Sequence, residues 1–229
     1  MDQLLPRELQ ATLFWDEIPS KRVSAIEAVL GSAAGQVLRN EIGRWISHLL
    51  PAEALVPEIY AQWRPLVRDA MVFVMSRLST PRLASKLVEQ SYLPSNASPE
   101  RRFLGVIAKM PGLQKLGQVL ARNRHLHPSL RDALSELENG ISDVKPEEIR
   151  ALICEELGAR LESCAVEAEP AIFYEASVSA VLRFTWWNPD TRKQERGVFK
   201  VLKPHISACF AEDMDLLRQL VHRTDSSLY

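Results

Sequence analysis

The sequence predicts an α+β chain, mostly helical, on three observations. Apolar residues recur at helical spacing through most of its 229 residues. One stretch, "ASVSAVLRFTWWNPDTRKQERGVFKVLKP", instead carries two runs rich in β-branched and aromatic residues around the turn-forming Asn188, Pro189 and Asp190. After Pro204 the helical period returns in "ISACFAEDMDLLRQLV", with Phe210, Met214, Leu217 and Val221 on one stripe. The expected order is therefore helices, a small antiparallel sheet, then a helix.

The first region is punctuated by Pro19, Pro51, Pro57, Pro65 and Pro81, and the segments between them keep helical spacing. Trp45, Ile46 and Leu49 share a face, as do Leu66, Ala70, Phe73 and Val74. "LPSNASPERR", residues 93–102, concentrates Pro, Ser and Asn without apolar periodicity and reads as a linker or long loop. Beyond it, Ser129 followed by Asp132 gives a helix start, with a stop at Gly140. "KPEEIRALICEELG" repeats the logic: Pro146 in the first turn, Glu147 and Glu148 toward the helix dipole, Gly158 at the end. The second β run closes a hairpin, with a further strand expected around Cys164 to Ile172.

Composition narrows the function classes. A formal net charge of −1 gives no global basic field, which argues against a nucleic-acid partner. "MDQLLPREL" has an acid and a proline where an export signal needs a basic start and an unbroken apolar run. The apolar stretch Ala70 to Met75 is far shorter than the roughly 20 residues that span a bilayer. Cys154, Cys164 and Cys209 are odd in number and lack C-x-x-C spacing, so they read as small core residues in a reducing cytosol. His125 and His127 flank no carboxylate or cysteine set and read as loop residues, so no metal site is expected.

Chemistry concentrates at "GVFKVLKP". A lysine planted in a strand needs a negative partner if it is buried. A lysine on a strand of a small antiparallel sheet, followed by a helix, is the layout of a protein-kinase N-lobe, where that lysine holds the α- and β-phosphates of ATP. The candidate is Lys200. No G-x-G-x-x-G loop covers the phosphates; "FYEASVSAV", Phe173 to Val181, stands in its place without a glycine. Glu212, Asp213 and Asp215 read as acids that suit the start of the following helix.

The chain resembles the UbiB/AarF atypical kinases, which include the ADCK-type proteins of mitochondria. "KLGQ" at Lys115, Leu116, Gly117 and Gln118 resembles the family's K-x-G-Q signature. Ala176, Ser177, Val178 and Val181 resemble its alanine-rich loop A-A-A-S-I-x-Q-V-H, and "VFKVLKPHI" resembles V-A-V-K-V-Q-R-P-G-I. The resemblance runs from about Phe103 to Leu220 and implies a helical K-x-G-Q extension followed by an incomplete kinase-like N-lobe. Tyr174 and Glu175 depart from the alanines, and Ala180 and Leu182 from the glutamine and histidine. A bulky Tyr174 and an anionic Glu175 would crowd or repel a triphosphate.

The resemblance implies a kinase or ATPase that uses ATP and magnesium in ubiquinone or related isoprenoid-lipid metabolism. Lys200 would bind the phosphates, Ala176, Ser177, Val178 and Ser179 would cover them, and Lys115, Gly117 and Gln118 would form a regulatory element across the cleft. No D-F-G follows, and "HRTD" at His222 to Asp225 comes too soon after Lys200 to be a catalytic loop. Catalytic and metal-binding aspartates are thus not expected within this chain, which reads as the N-terminal part of a longer protein, a truncated frame or a remnant.

The expected organisation is a helical region over 1–92 of unassigned role, a linker over 93–102, and the extension with a partial lobe over 103–229. Expected partners are a nucleotide and an isoprenoid lipid, a peripheral membrane surface or lipid-biosynthesis proteins, in a cytoplasmic setting. The alternative is a non-catalytic interaction module in which the kinase-like part is scaffold.

Overall fold

In a computed structural model the described residues are Leu9, residues 18–136 and residues 144–227, with residues 208 and 224–227 described by backbone alone. Helices come first: α1 (Pro19–Leu30), α2 (Gly35–Leu49), α3 (Ala52–Leu55), a 3₁₀ segment (Glu58–Trp63), α4 (Arg64–Arg77) and α5 (Thr80–Ser91). Then follow α6 (Pro99–Ile107), α7 (Pro111–Leu120), α8 (Pro128–Glu136), α9 (Pro146–Leu157) and α10 (Ala159–Ser163). Strands β1 (Glu167–Ala168), β2 (Tyr174–Glu175), β3 (Ser179–Asn188) and β4 (Lys193–Leu202) make the sheet, and α11 (Pro204–Ser227) closes the order. The mostly helical α+β class is the one the sequence predicts.

Proline placement explains many of the helix starts. Pro19, Pro65, Pro81, Pro99, Pro111 and Pro146 all sit in first turns, where the missing N–H costs nothing and the fixed φ suits the helix. Ser98 caps α6 by accepting the Arg101 N–H at 3.3 Å, and the Lys145 N–H donates to Glu148 at 3.0 Å at the start of α9. The α8 helix begins at Pro128, one residue before the Ser129 start read from the sequence; the Gly140 stop lies outside the described residues, as does the N-terminal segment apart from Leu9.

Two apolar clusters organise the chain. The larger joins helices on both sides of residues 93–102, with Ile42, Leu78, Leu87, Ile107, Met110 and Leu134 among its buried members, and takes Leu216 from α11. Within 93–102, Arg102 is buried and donates to the Pro94 carbonyl at 2.8 Å, while Gln90 donates to the Arg102 carbonyl at 3.0 Å. Close packing of α2 on α4 depends on Gly43, where a Cβ would stand 2.8 Å from the Val72 carbonyl oxygen. The smaller cluster joins Ile149 and Ile153 of α9 to Ala180 and Leu182 of β3.

Between α2, α4, α6, α7, α8 and α11 lies a cavity of about 330 Å³ lined almost wholly by apolar side chains. Among the described residues no helix is long and apolar enough to cross a membrane.

The sheet is antiparallel throughout. β4 pairs with β3 along its full length, Ser179 to Leu202 and Asn188 to Lys193 at the two ends. β1 and β2 pair with β3 at Phe184–Thr185 and Ala180–Val181, so they share its other edge. One face packs against α9; Phe184 and Phe199 stack on it at 4.1 Å between centroids, and Gly197 leaves that space, since a Cβ there would meet Phe184 Cζ at 2.4 Å.

Three sequence expectations are corrected here. The cysteines are not core residues: Cys154 is exposed, and Cys164 and Cys209 are half-buried. Among the described side chains of α11 the buried ones are Ile206, Asp213 and Leu216, whereas Phe210 and Val221 are exposed, because the helix meets α7 and α4 rather than the sheet. Glu212, Asp213 and Asp215 stand in the third and fourth turns of α11, too far from its N-terminus for the helix dipole to explain them.

Candidate functional site

Two lysines leave the end of β4, three residues apart, into opposite environments. Lys200 sits directly across from Val181 and is exposed. Strand alternation puts Val198 and Leu202, 59% and 48% exposed, on the same side as Lys200. Tyr174, paired with Val181 and 48% exposed, shares that face. Beside it the Arg183 guanidinium lies 3.4 Å from the Phe173 ring centroid.

Lys203 is the buried lysine. It is 0% exposed and its ammonium meets Glu175 Oε1 at 2.8 Å, with the carboxylate 10% exposed. Its backbone N–H donates to the Val178 carbonyl at 3.0 Å. The negative partner that a buried lysine demands is therefore supplied from β2, and Lys200 has no need of one. The sequence reading that a strand lysine is the one held inside is corrected to the lysine just past the strand. Glu175 is corrected as well: it pairs with Ala180, which puts it on the packed face, and its charge is neutralised by Lys203. Tyr174 alone of the two departures reaches the open face.

The segment Ala176 to Ser179 is a tight hairpin turn between β2 and β3, with the Ala176 N–H donating to the Ser179 carbonyl at 2.8 Å. Ala176, Ser177 and Val178 are half-buried and Ser179 is buried. Two anchors, one backbone hydrogen bond and one ion pair, thus tie this turn to the junction of β4 and α11.

Lys115 and Gln118 lie on α7, where Lys115 Nζ donates to Gln118 Oε1 at 3.2 Å. Gly117 is buried and lines the apolar cavity with Leu116. What holds α7 in place is a cluster the sequence reading passed over. The Gly112 N–H donates to Asp213 Oδ2 at 3.0 Å, so a buried carboxylate of α11 caps the start of α7. Asp213 Oδ1 also accepts from Arg82 at 2.6 Å, Arg82 meets Glu212 at 3.1 Å, and Glu212 accepts the Ser79 N–H at 2.6 Å. Burial opposes ionisation of Glu212, but the Ser79 N–H, Arg82 and the Ser79 hydroxyl outweigh it and hold the carboxyl below its usual range. The local signal was three acids in one helix; Asp215 pairs with Arg218 close by, but Asp213 and Glu212 find partners 131 and 133 residues away in sequence.

A cation on an open face of apolar side chains fits phosphate oxygens with a flat ring beside them. Magnesium fits less well: among the described residues no group of three or more His, Cys, Asp or Glu gathers, so no step is assigned to the metal. "HRTD" falls at the end of α11, with the Asp225 side chain outside the described residues.

Comparison with known proteins gives a related kinase. The chain is similar to the probable protein kinase UbiB of Marinobacter nauticus, 28% identical over 147 residues, which is 62% of this chain and 26% of that protein. The chain thus spans about a quarter of the relative's length. No family profile matches it, and no solved structure does.

Proposed function

We propose that this chain is a UbiB-type, atypical-kinase-like nucleotide-binding unit, with the nucleotide held on the open face of the sheet by Lys200. The observation that carries the reading is the division of labour between the two lysines. Lys203 and Glu175 satisfy each other inside, while Lys200 stands outside beside Val181, Val198 and Leu202. A cation left in water next to apolar side chains suits a ligand that has phosphates and a base.

In this reading Lys200 contacts the phosphates, the turn from Ala176 to Ser179 covers them, and α7 with Lys115, Gly117 and Gln118 regulates access. The similarity to a UbiB kinase supports it, and so does the order of the motifs along the chain. ATP and magnesium are the expected cofactors, with the metal held by phosphate oxygens in the nucleotide complex. Service to ubiquinone or related isoprenoid-lipid metabolism, in the cytoplasm or at a membrane surface, belongs to the same proposal.

A second reading has one observation in its favour. Tyr174 is exposed on the same face as Lys200, where a phenol ring crowds a triphosphate. In that reading the sheet is the scaffold of a non-catalytic module that docks a protein partner. Thermal denaturation with ATP or ADP, with and without magnesium, separates the two. Nucleotide binding predicts a rise in Tm that disappears in Lys200→Ala; no rise at millimolar nucleotide leaves the module.

A further inference from the structure

We infer that the cavity between the helices binds a single-chain amphiphile, a hydrocarbon tail with an anionic head. The inference stands on the helical region and not on the nucleotide reading.

The lining is the first argument. Ile46, Leu130 and Leu134 form part of a buried wall, and Leu116, Leu120 and Trp63 line the cavity while remaining 47%, 40% and 47% exposed. A site built this way accepts apolar surface and offers a polar metabolite almost nothing to bond. Tyr60 and Asn123 are the polar exceptions, and Tyr60 is turned edge-on to His125 at 5.9 Å between ring centroids.

Volume chooses among apolar occupants. One turn of helix, about 10 Å wide and 5.4 Å long, fills about 420 Å³. That exceeds the 330 Å³ available, so a helix can lay only one face against the opening, whereas a single chain enters whole. A cavity of about 150 Å³ takes benzene, which scales to a chain of about twelve carbons here.

Charge at the entrance supplies the head. The loop after α7, Ala121 to His127, contributes Asn123 and Leu126 to the wall. Its remaining polar residues are Arg122, Arg124, His125 and His127, all exposed, and it contains no acid. Beside the loop, Glu100 accepts from the Ser129 hydroxyl at 2.8 Å. A basic rim over an apolar shaft matches a carboxylate or phosphate on one long chain.

The test uses the full chain and a brominated fatty acid of matching length, 11-bromoundecanoate, below its micelle concentration. Saturable quenching of tryptophan fluorescence is expected, lost in Trp63→Phe. Ala70 lines the cavity, so Ala70→Phe should weaken binding at least tenfold with Tm unchanged or raised. The double variant Arg122→Gln/Arg124→Gln should weaken the acid severalfold and leave the corresponding brominated alcohol unaffected. No saturable quenching in the unmodified protein overturns the inference, as does equal binding by Ala70→Phe. Equal loss of acid and alcohol overturns the anionic head. Sedimentation with phosphatidylglycerol vesicles that survives Ala70→Phe, without fatty-acid binding, would replace the cavity with a membrane surface.

Discussion

The helical region and the sheet each bury one lysine, and they do so for different ends. In the helices, Lys86 is 4% exposed and donates to Glu89 at 3.0 Å and to the Gly105 and Ala108 carbonyls at 2.9 and 2.5 Å. It closes the C-terminal end of α6, whose last carbonyls have no helical partner. In the sheet, Lys203 holds Glu175 and so fixes the turn from Ala176 to Ser179. Lys200, three residues away, does neither. Burial of a cation in this chain therefore marks a structural joint, and the proposed ligand role falls to the exposed Lys200.

The comparison can be broken at its strongest point first. Lys203→Ala strands Glu175 inside and is expected to cost about 3–5 kcal/mol in urea denaturation, whereas Lys200→Ala should stay within about 0.5 kcal/mol. Equal effects would remove the distinction between them. Lys86→Met keeps the packing volume and leaves two carbonyls without a donor, for an expected loss of about 1–3 kcal/mol. Burial, helped by the nearby Lys109 and Arg82 charges, also pushes the Lys86 ammonium below its ordinary range against the pull of Glu89.

The joint between α5, α7 and α11 gives a pH signature. Because the folded Glu212 carboxyl titrates below its unfolded value of about 4.5, its contribution is present above that pH and lost as the pH falls through the folded value. Glu212→Gln should cost about 1 kcal/mol at neutral pH and flatten the acid limb of a stability profile taken below about pH 4.5. The smallest effect runs the other way. Gln114 on α7 is 1% exposed, and neither amide atom has a hydrogen-bond partner among the described residues. Gln114→Leu is expected to stabilise by about 1 kcal/mol in thermal denaturation.

Much of the fold was legible. The hairpin was visible in its runs of β-branched and aromatic residues on either side of Asn-Pro-Asp, and most helix starts in their prolines. The site was legible only in part. Lys200 and the turn from Ala176 to Ser179 were read from their motifs, and their role toward a ligand stands as a proposal; Glu175 was read as facing that ligand because its phase in a two-residue strand cannot be judged from so short a run. The cavity escaped because each wall looks like an ordinary amphipathic face; a gap appears only when six helices fail to close on one another.

The sequence by itself determined where helices and strands form, since periodicity, prolines and turn residues act over a few positions. It also marked a lysine within the strand that would need a negative partner if buried. Tertiary structure decided which lysine is buried, because Lys203 depends on Glu175 arriving from β2, 28 residues earlier by their numbering. It likewise decided that Asp213 of α11 would cap α7 and hold Arg82. Such pairings bring together charges far apart in sequence, and only the packed core fixes the distances at which they balance the loss of water.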